Sequence, residues 1–374
     1  MKILFTGGST GGHIFPIVAV ARQLKKIYAD NSREDKLEML FLGAGGLSER
    51  ILKKEEITVK TISAGKLRRY FSFKTLLDFI KIPFSFCESI FYIYIWMPDI
   101  IFSKGGYDSF PVVFSGWLYR IPVLIHESDT IPGLANRLSS KFSKKIGVSF
   151  SFAEKYFPKK KTALIGNPIR KEIVEKCILN NQEEKQKIKS NYNIISQNPV
   201  IFVLGGSQGA EKINNLILSA LPQLLEKYEI IHQYGNNNYK NIKAKLIKLS
   251  NYHLFPFLDE NQMSDIYFIA DLIISRAGAG SIGEIATCGK PSILIPLPKS
   301  AGDHQRQNAM VYSQSGSGVV LEQSNLKPNL LLNEISKILN NNKLYKKMSD
   351  NAKNFSRPEA AEKIAKELIE MGEN

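Results

Sequence analysis

"MKILFTGGSTGGHIFPIVAVARQL", residues 1–24, sets the fold. Ile3 to Phe5 form an apolar, strand-like run, glycines stand at 7, 8, 11 and 12, and the apolar run from Ile14 reads as a helix. A glycine-rich turn between a buried strand and a helix presents backbone N–H groups at the helix N-terminus, and such groups bind phosphate. His13 stands beside this loop. An imidazole there can do acid–base work near neutral pH, or tie the loop to a backbone carbonyl.

The pattern recurs. "DIIFSKGGYDSF" (99–110), "VIFVLGGSQGAEKIN" (200–214) and "DLIISRAGAGSIGEIA" (271–286) each pass from an apolar strand through a glycine turn into a helix. Short β-branched runs bounded by glycine suit strands buried on both faces of a parallel sheet, joined as βαβ units. The order recurs too. "TGGSTGG", "DIIFSKGG" and Pro122 before "VLIHE" in the first half answer "LGGSQGA", "DLIISRAG" and Pro291 before "SILIP" in the second. Asp99 matches Asp271, Ser103 matches Ser275 and Lys104 matches Arg276. The expected fold class is α/β, with two tandem Rossmann-like, doubly wound domains facing a central cleft and ligands outside the carboxyl ends of the strands.

"GNPIR" (166–170) precedes a polar, lysine-rich segment, which places the domain boundary there: residues 1–168 and 169–355. Ala361, Ile364, Ala365, Leu368 and Ile369 repeat at helical spacing in the last segment. Pro358 suits a first helical position, so a one-sided helix within 356–374 is expected to dock, the first domain being one place for it.

The 374 residues exceed what one core serves, and 44% hydrophobic with 23% charged residues is ordinary for a soluble protein. A net charge of +15 calls for an anionic partner such as nucleic acid, an anionic membrane or a phosphorylated substrate. Cys87, Cys177 and Cys288 lack CxxC or Cys/His spacing, so free thiols in a reducing cytosol and no structural zinc are expected. No signal peptide is read at the N-terminus. Residues 67–98 are dense in Phe, Ile and Tyr, but Lys74, Asp78, Lys81 and Glu88 interrupt them. That is too charged to span a bilayer, leaving a buried helix pair or a membrane-surface segment.

Several chemistries drop out. A dinucleotide site needs an acid at the end of the second strand, where "LEMLFLGAGG" ends in glycine. "GGSTGGH" lacks the GK[ST] ending of a P-loop, and HExxH and EF-hand patterns are missing. Phosphate recognition by helix N-termini remains. Glu284, one turn into the helix after "AGAGSIG", repels phosphate but accepts sugar hydroxyls, or serves only as an N-terminal acid favoured by the helix dipole.

"TGGSTGGHIFP", "HESDTIPGLANR", "IGNPIR", "VLGGSQGAEKIN", "SRAGAGSIGEIATCGKPSILIPLP" and "DHQRQNA" occur in that order, and together they resemble the MurG family. The resemblance implies a GT-B fold and a UDP-N-acetylglucosamine-dependent, inverting hexosyltransferase forming a β-1,4 linkage. It implies transfer of N-acetylglucosamine to lipid I (undecaprenyl-pyrophosphoryl-MurNAc-pentapeptide), giving lipid II for peptidoglycan. The donor is expected on the C-terminal domain and the acceptor on the N-terminal one. No cofactor is obligatory and no metal is expected. The implied location is the cytoplasmic face of the bacterial cell membrane, peripherally bound to its anionic surface, with cell-wall synthesis proteins as further partners and no nucleic acid.

Carried over by motif, the donor-side residues are Thr10, Gly11, Gly12, Asp129, Asn136, Arg170, Ser207, Leu258, Ala279, Gly280, Ser281, Glu284 and Gln305. His13 and Glu127 are competing candidates for the catalytic base. Arg68, Arg69, Phe71, Phe73 and Lys74 are the candidate membrane contacts. One departure matters: where the family often reads HEQN, this chain reads His126-Glu127-Ser128-Asp129. A carboxylate replaces an amide, and the N–H donor for the sugar is lost unless Asp129 is protonated. The rivals are a non-hydrolysing UDP-N-acetylglucosamine 2-epimerase, which needs no membrane, and a nucleic-acid-binding protein suggested by charge alone.

Overall fold

The computed structural model describes residues 1–32, 36–63, 73–179, 181–206, 209–235, 249–298 and 300–373, the side chains of 47, 48, 73–80, 179 and 301 excepted. They form two compact units, Met1–Ile169 with Pro358–Asn374, and Arg170–Arg357.

Unit 1 begins β1 (Lys2–Thr6), α1 (Gly11–Asp30), β2 (Glu38–Gly43), α2 (Leu47–Lys54), β3 (Thr58–Thr61) and α3 (Phe73–Trp96). It continues β4 (Ile100–Ser103), α4 (Ser109–Leu118), β5 (Val123–Glu127), α5 (Leu134–Ser139), β6 (Lys145–Val148) and β7 (Thr162–Leu164). The seven strands are all parallel, in the order β3-β2-β1-β4-β5-β6-β7. Alternation along each strand divides the core between the two faces. Ile3, Phe5, Phe41 and Phe102 pack with Ile17, Val18 and Leu24 of α1 on one face. Leu4, Leu40, Leu42 and Ile101 pack with Ile93 of α3 and Val112 and Val113 of α4 on the other. Each such side chain contributes about 1.5–3 kcal/mol by leaving water. A β-carbon on Gly116 would lie 2.2 Å from Ile101 Cδ1, so α4 presses closely against β4 there and a larger residue would require the Ile101 side chain to shift.

The N-terminal unit also holds the last helix. Ala361, Ile364, Ala365 and Leu368 are buried, and the last three join the α1-side cluster with Met371. The helix spans Ala360–Glu373, so Pro358 lies in the turn before it rather than at its first position.

Unit 2 runs α6 (Lys171–Leu179), α7 (Gln182–Asn191), β8 (Val200–Leu204), α8 (Glu211–Leu225), β9 (Glu229–Gln233), β10 (Tyr252–Phe255) and α9 (Glu260–Ile269). Then follow β11 (Leu272–Ser275), α10 (Ala279–Thr287), β12 (Ser292–Leu294), α11 (His304–Gln314), β13 (Gly318–Val320), α12 (Pro328–Leu339) and α13 (Asn342–Phe355). The helix described above, Ala360–Glu373, is α14. The sheet is parallel, in the order β10-β9-β8-β11-β12-β13, which repeats the winding of unit 1.

Two expectations change. Cys177 and Cys288 are joined in a disulfide across 111 residues of sequence. The spacing hid this because α6 packs against α10, a tertiary contact. Cys87 is free and exposed. Among the described residues the aromatic segment holds one helix rather than a pair: α3 continues through Pro83, whose missing N–H removes a single rung. Arg68, Arg69, Phe71 and Ser207 lie outside the described residues, and Phe73 and Lys74 are described only as the start of α3.

Candidate functional sites in the two units

In unit 1 the chain winds to opposite sides of β1 and β4, so the loops leaving these strands diverge and open a crevice at their carboxyl ends. The loops are held together at their base, where Lys104 N–H donates to Thr6 O at 2.9 Å and Gly8 N–H to Gly105 O at 2.8 Å. Gly106 has φ +111°, and a β-carbon there would sit 2.6 Å from Gly8 N, so no larger residue is accommodated. Thr10 caps α1 in extended conformation without a side-chain bond to the helix's backbone N–H groups, and the first turn, Gly11 and Gly12 included, carries no acid. This leaves N–H groups of the helix N-terminus available to an anion.

His13 is half-buried, its Nδ1 2.9 Å from Thr10 Oγ1. Withdrawal from water, reinforced by the Lys104 charge and opposed by Asp129, pushes its pKa down to about 4. The ring is therefore neutral at pH 7, the form a base requires.

The end of β5 supplies the rest. Lys104, only 2% exposed, places Nζ 2.8 Å from His126 Nδ1 and donates to Ser128 Oγ. An ammonium has only donors, so His126 Nδ1 accepts, and its Nε2–H donates to Gly166 O at 2.8 Å. Ser128 Oγ in turn donates to Asn167 Oδ1 at 3.3 Å.

Glu127 is enclosed. One carboxylate oxygen accepts from Asp129 N at 2.8 Å, and the other from Asn136 Nδ2 at 2.9 Å and Gly133 N at 3.3 Å. Gly133 caps α5, so Glu127 ties the loop to that helix. Burial and the neighbouring Asp129 push its pKa up to about 7, against those hydrogen bonds and Lys104. Lys104 is pushed down to about 8 by burial, against the charges of Glu127 and Asp129. The structure thus gathers Thr10, His13, Glu127, Asp129 and Asn136 at one end of one sheet. The sequence reading gave Lys104 no site role. Its signal was a basic residue directly after a strand of the sheet's centre, inside a glycine turn.

In unit 2 the loop after β11 leads into α10 through Gly278, an extended cap without a side-chain bond. Ala279, Gly280 and Ser281 form its first turn, which has no acid, so this N-terminus also offers unspent N–H groups. Glu284 follows one turn on and is paired: Arg170 reaches its Oε1 with Nη2 at 2.6 Å and Nε at 3.0 Å. Both side chains are largely buried, 9% and 13% exposed, beside the buried Tyr267. Arg170 directly precedes α6, and the Cys177–Cys288 bridge joins α6 to the far end of α10. Leu258 is 1% exposed in the loop between β10 and α9. Gln305, in the first turn of α11, accepts from Leu297 N at 3.0 Å and so holds the loop after β12.

Comparisons agree with this arrangement. Residues 3–148 match the glycosyltransferase family 28 N-terminal domain, and residues 200–364 match its C-terminal domain. A Bacillus anthracis protein named UDP-N-acetylglucosamine--N-acetylmuramyl-(pentapeptide) pyrophosphoryl-undecaprenol N-acetylglucosamine transferase 2 is 38% identical over 352 residues, covering 92% of this chain and 93% of that one. The crystal structure of Acinetobacter baumannii MurG is 27% identical, covers 99% of both chains and has a TM-score of 0.74. A UDP-GlcNAc 2-epimerase from Neisseria meningitidis shares the fold at a TM-score of 0.67, with 15% identity over 99% of this chain and 100% of its own. Two matched domains and near-complete coverage lead to one assignment: the chain belongs to glycosyltransferase family 28 and, within it, to the MurG family.

Proposed function

We propose that the protein transfers N-acetylglucosamine from UDP-N-acetylglucosamine to undecaprenyl-pyrophosphoryl-MurNAc-pentapeptide, inverting the donor linkage to β-1,4. The observation that carries this reading is 38% identity to a transferase of that name across 92% of the chain. The epimerase likeness carries the fold alone, because at 15% identity the same two-sheet frame serves another reaction.

Unit 2 holds the donor in this reading. The N–H groups at Ala279, Gly280 and Ser281 take the diphosphate, Glu284 takes ribose hydroxyls while Arg170 fixes its carboxylate, and Leu258 and Gln305 border the base and the sugar. Unit 1 holds the acceptor. Diphosphate departure is assisted by donors already oriented at helix ends, which need no reorganisation during the reaction. His13 is the base we favour over Glu127. It is neutral and half-buried, whereas both Glu127 oxygens are committed to holding their own loop.

The lipid acceptor fits a membrane-surface enzyme. Phe84, Phe91, Tyr94 and Ile95 of α3 are about 60% exposed, with Trp117 and Leu118 at the end of α4 about half exposed. No helix among the described residues is long and apolar enough to cross a membrane. Exposed aromatics on a helix that also carries the exposed Lys81 suit adsorption to an anionic leaflet.

The deciding assay follows labelled N-acetylglucosamine from its UDP donor to a short-chain lipid I analogue, with a second reaction lacking acceptor. Labelled disaccharide-lipid supports the proposal. An epimerised nucleotide sugar in the acceptor-free reaction, without transfer, overturns it.

A further inference from the structure

We propose that Lys104 is a positioning residue of the unit 1 site: its buried ammonium holds the His126–Asp129 loop and supplies a countercharge to Asp129 that an amide at position 129 would not need. The inference rests on the transferase reading above. Three observations carry it. Lys104 is 2% exposed, and a buried ammonium is tolerated only with partners of its own. Its partners are spread over the loop: Nζ meets His126 Nδ1 at 2.8 Å and Ser128 Oγ, and through these two side chains it reaches Gly166 and Asn167. The charges of Glu127 and Asp129 both act on it, and its own charge acts on His13 and His126.

Asp129 brings a negative charge into a loop that already buries Glu127, and that charge favours the protonated form of Glu127. The Lys104 charge acts on Glu127 in the opposite sense, favouring its carboxylate. Because His13 also responds to Lys104 and Asp129, the pair sets the electrostatic surroundings of the proposed base without either residue accepting the reaction's proton.

The test compares Lys104→Met, Asp129→Asn and the double variant in the lipid I analogue assay, with kcat and KM for the acceptor measured from pH 5 to 10. Lys104→Met keeps the apolar stem and removes the charge. It is expected to lose at least tenfold in kcat/KM at pH 7 and to move the acidic limb of the profile upward by about one pH unit. Adding Asp129→Asn removes both charges together and is expected to return activity to within about threefold of the parent, with the acidic limb restored. Asp129→Asn alone leaves Lys104 less well paired and brings the alkaline limb down, a readout that stands even where Lys104→Met does not fold. An unmoved profile in the single variants, or a Lys104→Met loss that Asp129→Asn does not relieve, overturns the inference. Absence of transfer by the unmodified protein would instead count against the proposed reaction itself.

Discussion

The Arg170–Glu284 pair offers the most direct energetic test of unit 2. One carboxylate oxygen receives two guanidinium nitrogens, at 2.6 and 3.0 Å, with only 9% and 13% of the two side chains exposed. Opposite charges about 4 Å apart attract by about 4 kcal/mol at an effective dielectric constant of about 20. Low exposure leaves little screening to discount. Removing one partner also strands the other charge, so Arg170→Met is expected to cost about 3–5 kcal/mol. Glu284→Gln keeps an acceptor oxygen and costs less, about 2 kcal/mol. The double variant Arg170→Met/Glu284→Gln is expected to fall short of the sum by about 2–3 kcal/mol, which is the coupling energy.

The readout must belong to unit 2. Trp96 and Trp117 are the chain's two tryptophans and both lie in unit 1, so their fluorescence reports the other unit. Native-state hydrogen exchange at the β8 and β11 amides, next to the site, measures the relevant opening. Additivity within about 0.5 kcal/mol would refute the reasoning, since an exposed, weakly held pair behaves that way. The KM for the UDP donor should rise in both single variants if the same groups meet ribose and diphosphate.

Three further outcomes are expected. His13→Ala should lower kcat by about 10²–10⁴-fold with little change in donor affinity, as measured by separate turnover and binding assays, and near-parental turnover would exclude His13 as the base. Asp108 is 1% exposed, accepts from Ala44 N at 2.8 Å, and has its pKa raised from 3.8 to about 6 by burial. The folded state therefore holds a proton the unfolded state has released, and stability falls as pH rises from about 4 through 6; Asp108→Asn should flatten that slope in urea titrations, with a gain of about 1–3 kcal/mol at pH 8. Cys288→Ser should destabilise unit 2 by about 2–5 kcal/mol under oxidising conditions, since the bridge closes a loop of 111 residues, and have little effect under reductant; peptide mapping without reductant should recover Cys177 joined to Cys288.

Much of this protein was open to reading along the chain. Buried parallel strands need β-branched runs, and diverging loops at a sheet's centre need glycine, so "KILFTGG", "DIIFSKGG" and "DLIISRAG" marked the crevices of both sheets. Glycines 11, 12 and 280 could be assigned to helix N-termini because a phosphate-binding turn leaves so little choice of residue. The roles of charged residues were not legible in the same way. Glu284 read as a ribose acceptor or a dipole acid, but Arg170, 114 residues earlier in the chain, turned out to be its partner. Glu127 read as one of two candidate bases, and only the fold showed both its oxygens accepting hydrogen bonds from its own loop and α5. Cys177 and Cys288 read as separate thiols until two packed helices brought them together.

The physical reason is range. Strand, turn and helix preferences arise from each residue's own backbone and from the period of its neighbours, so they are written locally. A buried charge takes its meaning from groups brought within a few ångströms by the whole fold. Local preferences alone were enough for two glycine-hinged parallel sheets and for the acid-free helix N-termini at Gly11 and Ala279. The surroundings of Lys104 came from the fold: its ammonium, remote in sequence from the loop, meets His126 and Ser128 there and feels the charge of Asp129.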